Sequence, residues 1–149
     1  MTGLRNKLFG FVLIFLFCTC KKREENPQAP IISLINVSEL TVEEFNNTVV
    51  INISYEDYQG DIGENDPDKN SLRVRDSRLS DDNWYHLPPM TPDMKNLHIK
   101  GTYSIELDPL FLLGIGTQED AKFSIGLKDR NGNWSNTVTT PNVLIVDSL

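Results

Sequence analysis

Cysteine is nearly absent from this chain. Of 149 residues only two are cysteines, Cys18 and Cys20, and both lie close to the start. Cysteines one residue apart are too close to form a disulfide easily, and no cysteine follows them. The part of the chain after Cys20 therefore cannot be a disulfide scaffold, a thiolate zinc site or a cysteine enzyme.

Long apolar runs are lacking as well. The run at residues 8–17 is uncharged but only ten residues long, whereas a membrane-spanning helix needs about 20. Arg5 and Lys7 precede it, so the start of the chain has the basic and short apolar regions of a signal peptide. The alternative, a buried core helix, is disfavoured because the run has no polar face.

The small residues that end a typical secretory signal are missing. The end of the run instead resembles the lipobox of a bacterial lipoprotein signal, whose cysteine becomes the lipidated N-terminus. Cys20 fits this role best, with Thr19 and Cys18 before it, while Cys18 fits worse because bulky Phe17 would precede the cut. We therefore expect a signal peptide over residues 1–19 and a lipid with acyl chains such as palmitate on Cys20. Two or more acyl chains make membrane anchoring stable.

A polar tether is expected over residues 20–29. Three basic residues follow Cys20, then Glu24 and Glu25, then a segment with two prolines. An acidic pair soon after the lipidated cysteine resembles the export signals that send lipoproteins of Bacteroidetes to the outer face of the outer membrane. A solvated linker without sorting meaning explains the same residues equally well. The expected location is the bacterial outer membrane, with the chain anchored by lipid, and exposure at the cell surface follows only if the acidic pair is an export signal.

Basic residues are scarce. Removing Arg5 and Lys7 from the 14 basic residues leaves 12 against 21 acidic ones, a net charge of about −9. Binding to nucleic acid relies on clustered Lys and Arg side chains. The charge balance therefore disfavours nucleic acid as a partner.

Helical periodicity is almost absent, and apolar and polar residues alternate instead. Alternation of period two is typical of antiparallel strands with one buried and one exposed face. It predicts strands at about residues 30–37, 48–55, 72–75, 99–107, 122–128 and 135–146, the last interrupted at Pro141. A helical turn is predicted at residues 108–114, and Asn131-Gly132 predicts a hairpin turn. We expect residues 30–149 to form one all-β domain, an antiparallel β-sandwich of immunoglobulin or fibronectin type with about seven strands.

The loop at residues 56–68 is rich in carboxylates and contains two glycines. Calcium takes six to eight oxygen ligands, and closely packed carboxylates repel each other unless a cation neutralises them. Asp57 and Asp61, joined by Asp129 from the last hairpin, are the predicted calcium ligands. The alternative is an ordinary acidic turn, with Asp129 serving only as a turn residue.

Catalytic motifs are missing. The sequence has no Gly-x-Ser-x-Gly elbow, no phosphate-binding loop and no His-Glu-x-x-His, and His86 and His98 are isolated from each other. Many carboxylates are available for a glycosidase pair, but nothing in the sequence places two of them across a cleft. The segment Trp84-Tyr85 and Trp134 suit stacking on sugar rings, although such aromatics often fill a sandwich core or its rim.

Several segments together resemble a known group of proteins. They are VVINISYEDYQGDIG, SLRVRDSR, LPPMTPD, HIKGTYSIEL and FSIGLKDRNGNWSNTVTTP. They are similar to small immunoglobulin-like lipoproteins of Bacteroidetes, over roughly residues 30–146. Members of that group show an Asp-rich loop after an early strand, where this chain has Tyr58-Gln59 instead. The resemblance implies a fold and a location but no activity, because the group itself has none established.

The expected function is that of a lipid-anchored binding or structural module in the cell envelope, without catalytic activity. Its partners would be the membrane, through the anchor, and protein or glycan at the cell surface. One alternative is an accessory subunit of a surface glycan-uptake or secretion complex. The other is a small hydrolase based on carboxylates.

Overall fold

The computed structural model describes residues 26–91 and 97–147, and all regular secondary structure in these ranges is β-strand. The strands are β1 (Ile31–Val37), β2 (Thr41–Glu43), β3 (Val50–Asp57), β4 (Leu72–Asp76), β5 (Asn83–Tyr85), β6 (Ile99–Glu106), β7 (Gln118–Ala121), β8 (Phe123–Leu127), β9 (Val138–Thr139) and β10 (Val143–Val146). The predicted all-β class is confirmed. The predicted signal peptide, the predicted lipidation site Cys20 and most of the predicted tether lie outside the described residues.

The described ranges contain no helix long and apolar enough to cross a membrane.

The strands form two layers. One sheet has the order β1-β3-β6, and the other has the order β5-β4-β8-β9. A third group, β2-β10-β7, continues the second sheet, because only Lys122 separates β7 from β8 and only residues 140–142 separate β9 from β10. These orders correspond to strands A-B-E and C′-C-F-G of an immunoglobulin-like sandwich. If β1 with β2, β7 with β8, and β9 with β10 each count as one interrupted strand, the described strands number seven.

Two expectations about local structure were wrong. Pairing is antiparallel except between β2 and β10, which are parallel, with Val42 opposite Ile145. The edge strand pairs with β3 as β1 and then crosses to the other sheet, where it pairs with β10 as β2. Because β2 and β10 run in the same direction, this pair is parallel. The predicted helical turn at residues 108–114 consists of non-helical backbone and bends. There, the N–H groups of Leu113 and Gly114 donate to the Glu119 carboxylate instead of to helix carbonyls.

The core forms where the alternating apolar residues of the two sheets meet. In and next to β3, Val49, Ile51 and Ile53 are completely buried, whereas Asn52 and Ser54 between them are half-exposed on the opposite face. The second sheet contributes a matching set that includes Ile125 and Leu127, both completely buried. Burying a side chain of this size contributes about 1.5–3 kcal/mol. The alternation predicted from the sequence therefore determines which face of each sheet remains outside.

The loops gather at the two ends of the sandwich. The loop at residues 58–71 and the hairpin at residues 128–134 lie at the N-terminal end, where β1 begins. The register shows this, because Ile31 lies opposite Glu56 at the end of β3 and Leu72 lies opposite Leu127 at the end of β8. At the C-terminal end, where β10 finishes beside β2, lie the turn at residues 44–46 and the loop at residues 107–117. A lipid on Cys20 would therefore tether the domain by its N-terminal end.

The last hairpin is confirmed, with one change in its turn. The N–H of Gly132 donates to the carbonyl of Asp129 at 3.1 Å, and the N–H of Asp129 donates to the carbonyl of Asn133 at 3.1 Å. Gly132 has a φ of 89°, but Asn131 is not in the left-handed region. The turn is therefore a type I turn followed by a glycine bulge, not the two-residue turn with positive φ at both positions.

Two glycines allow a matched test of how tightly the acidic loop packs. Gly63 has a φ of 90°, and a Cβ there would lie 2.3 Å from the carbonyl oxygen of Pro88. Gly132 has a φ of 89°, with nothing within 4 Å of a Cβ. Gly132→Ala should lower the free energy of unfolding by about 1–2 kcal/mol, the cost of a left-handed conformation alone. Gly63→Ala should cost at least roughly 2 kcal/mol more, because a backbone collision is added.

Urea unfolding of both variants beside the wild type measures these costs. Equal losses for Gly63→Ala and Gly132→Ala would contradict the close packing of the loop against Pro88.

Candidate functional site

The structure brings the three predicted calcium ligands into one region at the N-terminal end. Ile62 forms an isolated antiparallel bridge with Asp129. The Arg130 N–H donates to the Asp61 carbonyl at 3.0 Å, and the Asn131 side-chain amide donates to the Asp61 carboxylate at 2.6 Å. These contacts join the acidic loop to the last hairpin.

Two of the three carboxylates already receive a hydrogen bond at each oxygen. Asp57 is completely buried and accepts from the N–H groups of Gln59 at 3.0 Å and Asp61 at 2.8 Å. Asp129 is 1% exposed and accepts from the backbone N–H of Asn133 at 2.7 Å and from its side-chain amide at 2.8 Å. Aspartates that bond the backbone a few residues ahead are turn-forming residues. Asp57 and Asp129 thus shape the two loops.

Asp61 is the least satisfied of the three. Its Oδ1 is buried without a hydrogen-bond partner in the part of the chain that the structure describes. Burial raises the pKa of Asp61 above its ordinary value, and the negative charges of Asp129 and Asp57 raise it further, while Arg130 opposes them. Within residues 26–91 and 97–147, no group of three or more His, Cys, Asp or Glu side chains is arranged to hold a metal ion. The calcium site at Asp57, Asp61 and Asp129 stays a prediction.

His98 lies in a cluster of charged and aromatic side chains. Its Nε2 is 2.8 Å from Oε1 of Glu56, and its ring stacks on Tyr58 with centroids 4.1 Å apart. Lys100 lies 2.9 Å from the same oxygen. Hydrogen bonds from Lys100 first, then from His98 and Tyr58, lower the pKa of Glu56 to about 2. Glu56 is therefore ionised at neutral pH and is unsuited to act as a general acid.

Both tryptophans lie on the outer surface of the second sheet. Trp84, in β5, is 46% exposed, and Trp134, after the last hairpin, is 37% exposed. Their rings meet edge to face, with centroids 5.6 Å apart and planes at 64°. The sequence also allowed these aromatics to fill the sandwich core or its rim. The two tryptophans do not fill the core, whereas Tyr85 is half-buried and packs against it.

Strand register determines which residues surround the two indole rings. Arg73 in β4 lies opposite both Trp84 in β5 and Gly126 in β8. A Cβ on Gly126 would be 3.6 Å from both the Trp134 ring and the Arg73 guanidinium, so these two side chains lie over the bare backbone of the sheet. Lys128 and Trp134 form an isolated bridge across the hairpin.

Two cations lie beside the Trp134 ring. The guanidinium carbon of Arg73 is 5.4 Å from the ring centroid, and the ammonium of Lys128 is 5.6 Å from it. These distances fall within the range of cation–π attraction. Among the described residues, neither cation has a carboxylate within 4 Å, whereas Arg75 on the same face pairs with Asp82 at 3.4 Å. Within the described part of the chain, the one hydrogen bond of the Arg73 side chain is a long one, 3.4 Å, to the Thr137 hydroxyl.

We call this surface the tryptophan face. Its residues project from the outer side of the second sheet or from the adjoining hairpin and combine aromatic rings, cations and hydroxyls: Arg73, Arg75, Trp84, Ser124, Lys128, Trp134 and Thr139. The two tryptophans were candidate sugar-binding residues from the sequence alone, whereas the cations beside them were not. The alternation of Arg73 and Arg75 with buried Leu72 and Val74 was the available signal, because it directs both arginines away from the core.

A second candidate surface lies at the C-terminal end. A cavity of about 170 Å³ opens there between the sheets, with an apolar wall that includes Leu110, Phe111 and Phe123. Arg78 lines it, but its guanidinium is bonded to Asp76 at 2.7 Å, to Glu119 at 3.2 Å and to the Phe111 carbonyl at 2.8 Å. The cation of this cavity is therefore neutralised by its own neighbours.

An exposed aromatic pair lies next to that cavity. Phe45 is 66% exposed and stacks on Phe111 with ring centroids 5.6 Å apart and planes at 2°. Phe45 also has a φ of 57°, a left-handed conformation that bulky residues rarely adopt. Its N–H donates to the carbonyl of Leu110 at 2.8 Å, which helps to hold the turn in place.

Comparison with known proteins gave no match to any family model, to any curated protein or to any solved structure. The resemblance to immunoglobulin-like lipoproteins of Bacteroidetes stays a prediction.

The raised pKa of Asp61 has a measurable consequence. A carboxyl whose pKa is higher in the folded than in the unfolded state stabilises the fold while it is protonated. This stabilisation is lost as the pH rises through the raised pKa. Asp61→Asn keeps an oxygen to accept from Asn131 and removes the charge, so in the presence of chelator its melting temperature at pH 7 should exceed that of the wild type. The difference should disappear at about pH 3, where the wild-type carboxyl is protonated.

Asp68→Asn makes the same charge change at an exposed position of the same loop and should leave the melting temperature nearly unchanged. A lower melting temperature for Asp61→Asn than for the wild type at pH 7 would contradict repulsion at this site.

Calcium added to the same proteins tests the predicted cation site. A cation at 100 times its dissociation constant adds about 2.7 kcal/mol of stability, a rise of roughly 8–12 °C for a domain of this size. If Asp57, Asp61 and Asp129 hold calcium, the wild type should show this rise and Asp61→Asn should show much less. An unchanged wild-type melting temperature would contradict the calcium prediction.

Proposed function

We propose that this chain is a non-catalytic binding module, anchored by lipid to the bacterial outer membrane, that binds glycan through the tryptophan face. The observation that carries this proposal is the exposed pair Trp84 and Trp134 on the outer side of a rigid sheet. Sheet-borne rings are held by the strands below them, so binding requires little loss of conformational freedom.

The outer faces of the two sheets differ in a way that supports this choice. On the first sheet, Asn52 donates to Asn36 at 2.7 Å and accepts from Ser104 at 2.6 Å, so polar side chains there bond one another. On the second sheet, two large aromatic rings remain in contact with water, although burying such a ring would be favourable. Clustered exposed apolar area often marks a binding surface.

The composition of the tryptophan face suits a sugar ligand. An indole ring offers a flat apolar surface to the C–H face of a sugar ring, and indole N–H groups remain available as donors. The hydroxyls of Ser124 and Thr139, 3.0 Å apart, and the guanidinium of Arg73 lie on the same side of the sheet. Such polar groups beside an aromatic platform would orient the sugar hydroxyls.

The expected anchor is compatible with this use of the sheet. Residues 20–29 in extended form span at most roughly 35 Å. The chain enters the sandwich at the N-terminal end, so the outer side of the second sheet faces sideways from the attachment point. The tether would therefore leave the tryptophan face open to long polymers near the membrane.

The two alternatives differ in their support. A carboxylate hydrolase needs two accessible carboxyl groups, one of them with a raised pKa. Asp61 has the raised pKa, but its neighbours Asp57 and Asp129 are buried, and each of their carboxylate oxygens accepts a hydrogen bond.

An accessory subunit of a glycan-uptake complex would use the same tryptophan face, and co-purification of further subunits from membranes would distinguish it from a free-standing module.

Replacement of Trp84 tests the proposed binding surface. Affinity electrophoresis in gels that contain one soluble polysaccharide each, neutral or acidic, should show retardation of the wild type by at least one of them. Trp84→Ala should weaken that binding about tenfold or more, since a stacking platform is lost. Phe111→Ala, which removes an exposed aromatic ring at the other end of the sandwich, should leave it unchanged. Wild-type mobility unaffected by every polysaccharide would refute glycan binding.

The two cysteines offer a matched test of the anchor. Cys20→Ala should abolish lipidation, so the protein should be found unprocessed or in the soluble fraction. Cys18→Ala should remain processed and membrane-bound, because it leaves the expected lipidated residue in place. Fractionation of the cells followed by measurement of mass shows both effects. Normal processing and membrane binding of Cys20→Ala would disprove the anchor at this position.

A further inference from the structure

We infer that the glycan bound by the tryptophan face is acidic, with a carboxylate on the sugar, as in a polyuronate. This inference rests on the proposed function, because it concerns the ligand of the same face. It follows from the charges around the two indole rings, which are positive on a domain whose net charge is strongly negative.

Two of the three cations of the tryptophan face differ from those that the fold uses for itself; the third, Arg75, pairs with Asp82. Arg78 is bonded to Asp76 and Glu119, and Lys100 is bonded to Glu56. Arg73 and Lys128 have no such partner among the described residues, and both lie against an exposed indole ring. They are therefore available to a ligand that supplies the missing negative charge.

Arg73 is positioned for a carboxylate next to a stacked sugar. It lies directly opposite Trp84 in the register of β4 and β5, so their Cβ atoms are about 5 Å apart. A pyranose ring on Trp84 would place an acidic substituent within reach of the guanidinium. The planar guanidinium fork matches the two oxygens of a carboxylate, and its attraction to the Trp134 ring limits its motion.

Lys128 adds a second cation beside Trp134. Its ammonium lies beside the same ring as Arg73. A polyuronate carries one carboxylate on each sugar, so a chain that follows the two indole rings offers successive charges to Arg73 and Lys128. The inference thus concerns a polymer with repeated acidic groups, and a single free acid would engage only one of the two cations.

Polygalacturonate and its fully methyl-esterified form make a sharp pair of probes. The two have the same sugar backbone, and only the first carries carboxylates. The full chain in detergent should bind polygalacturonate roughly tenfold more tightly than the ester. Binding to polygalacturonate should weaken several-fold when salt rises from 0.1 to 0.5 M, because ions screen exposed charges. Isothermal titration calorimetry gives both affinities.

Charge-removing variants locate the effect. Arg73→Gln and Lys128→Gln should each weaken binding to polygalacturonate roughly threefold to tenfold and weaken binding to the ester less, so that each variant narrows the difference between the two affinities. Lys69→Gln makes the same charge change on the loop at residues 58–71 and should leave both affinities as in the wild type. This pattern would support an acidic glycan held at the tryptophan face.

Other results overturn the inference in distinguishable ways. Equal affinity for polygalacturonate and its ester would refute the requirement for charge and leave glycan binding intact. If Lys69→Gln weakens binding as much as Arg73→Gln does, the polymer is attracted to scattered surface cations and has no defined site at the tryptophan face. Dextran sulfate bound as tightly as polygalacturonate would overturn the assignment to carboxylates. Failure of the wild type to bind either form, or any other polysaccharide, would defeat the proposed function itself.

Discussion

Two buried carboxylates constrain the N-terminal end of this sandwich. Asp57 and Asp129 are almost completely removed from water, and a buried carboxylate is costly unless its oxygens receive hydrogen bonds. Backbone and side-chain amides at Gln59, Asp61 and Asn133 supply those bonds and so determine how both loops fold. The acidic residues that first suggested a cation site are thus part of the framework of the fold.

The candidate binding surface depends on the same framework. Asp129 holds the hairpin through Asn133, and the chain then places Trp134 opposite Lys128 and over Gly126. Alternation along β4 buries its apolar residues and directs Arg73 outward beside Trp84. Packing inside the sandwich therefore fixes the position of each aromatic ring and cation outside it, and a ligand of the proposed kind would meet a largely formed surface.

The sequence predicted the long strands well because alternation of residue types reports directly on burial, as Ile51 and Ile53 show. It did not predict β2, β5 or β7, since segments of three or four residues carry too little pattern. The exposure of Trp84 depends on β5, which is one of these short segments and forms the edge of the second sheet. The hydrogen bonds that satisfy Asp57 and Asp129 depend on tertiary contacts that no local pattern encodes.

The tryptophan face is the surface proposed to meet the ligand. The chain has only two tryptophans, so a ¹⁵N-edited NMR spectrum contains two indole N–H signals, each assignable by substitution. During titration with oligogalacturonate, both indole signals and the amide signals of Arg73 and Gly126 should shift together, while the amide signals of Phe45 and Phe111 stay in place. Shifts confined to Phe45, Phe111 and the cavity at the C-terminal end would contradict the account.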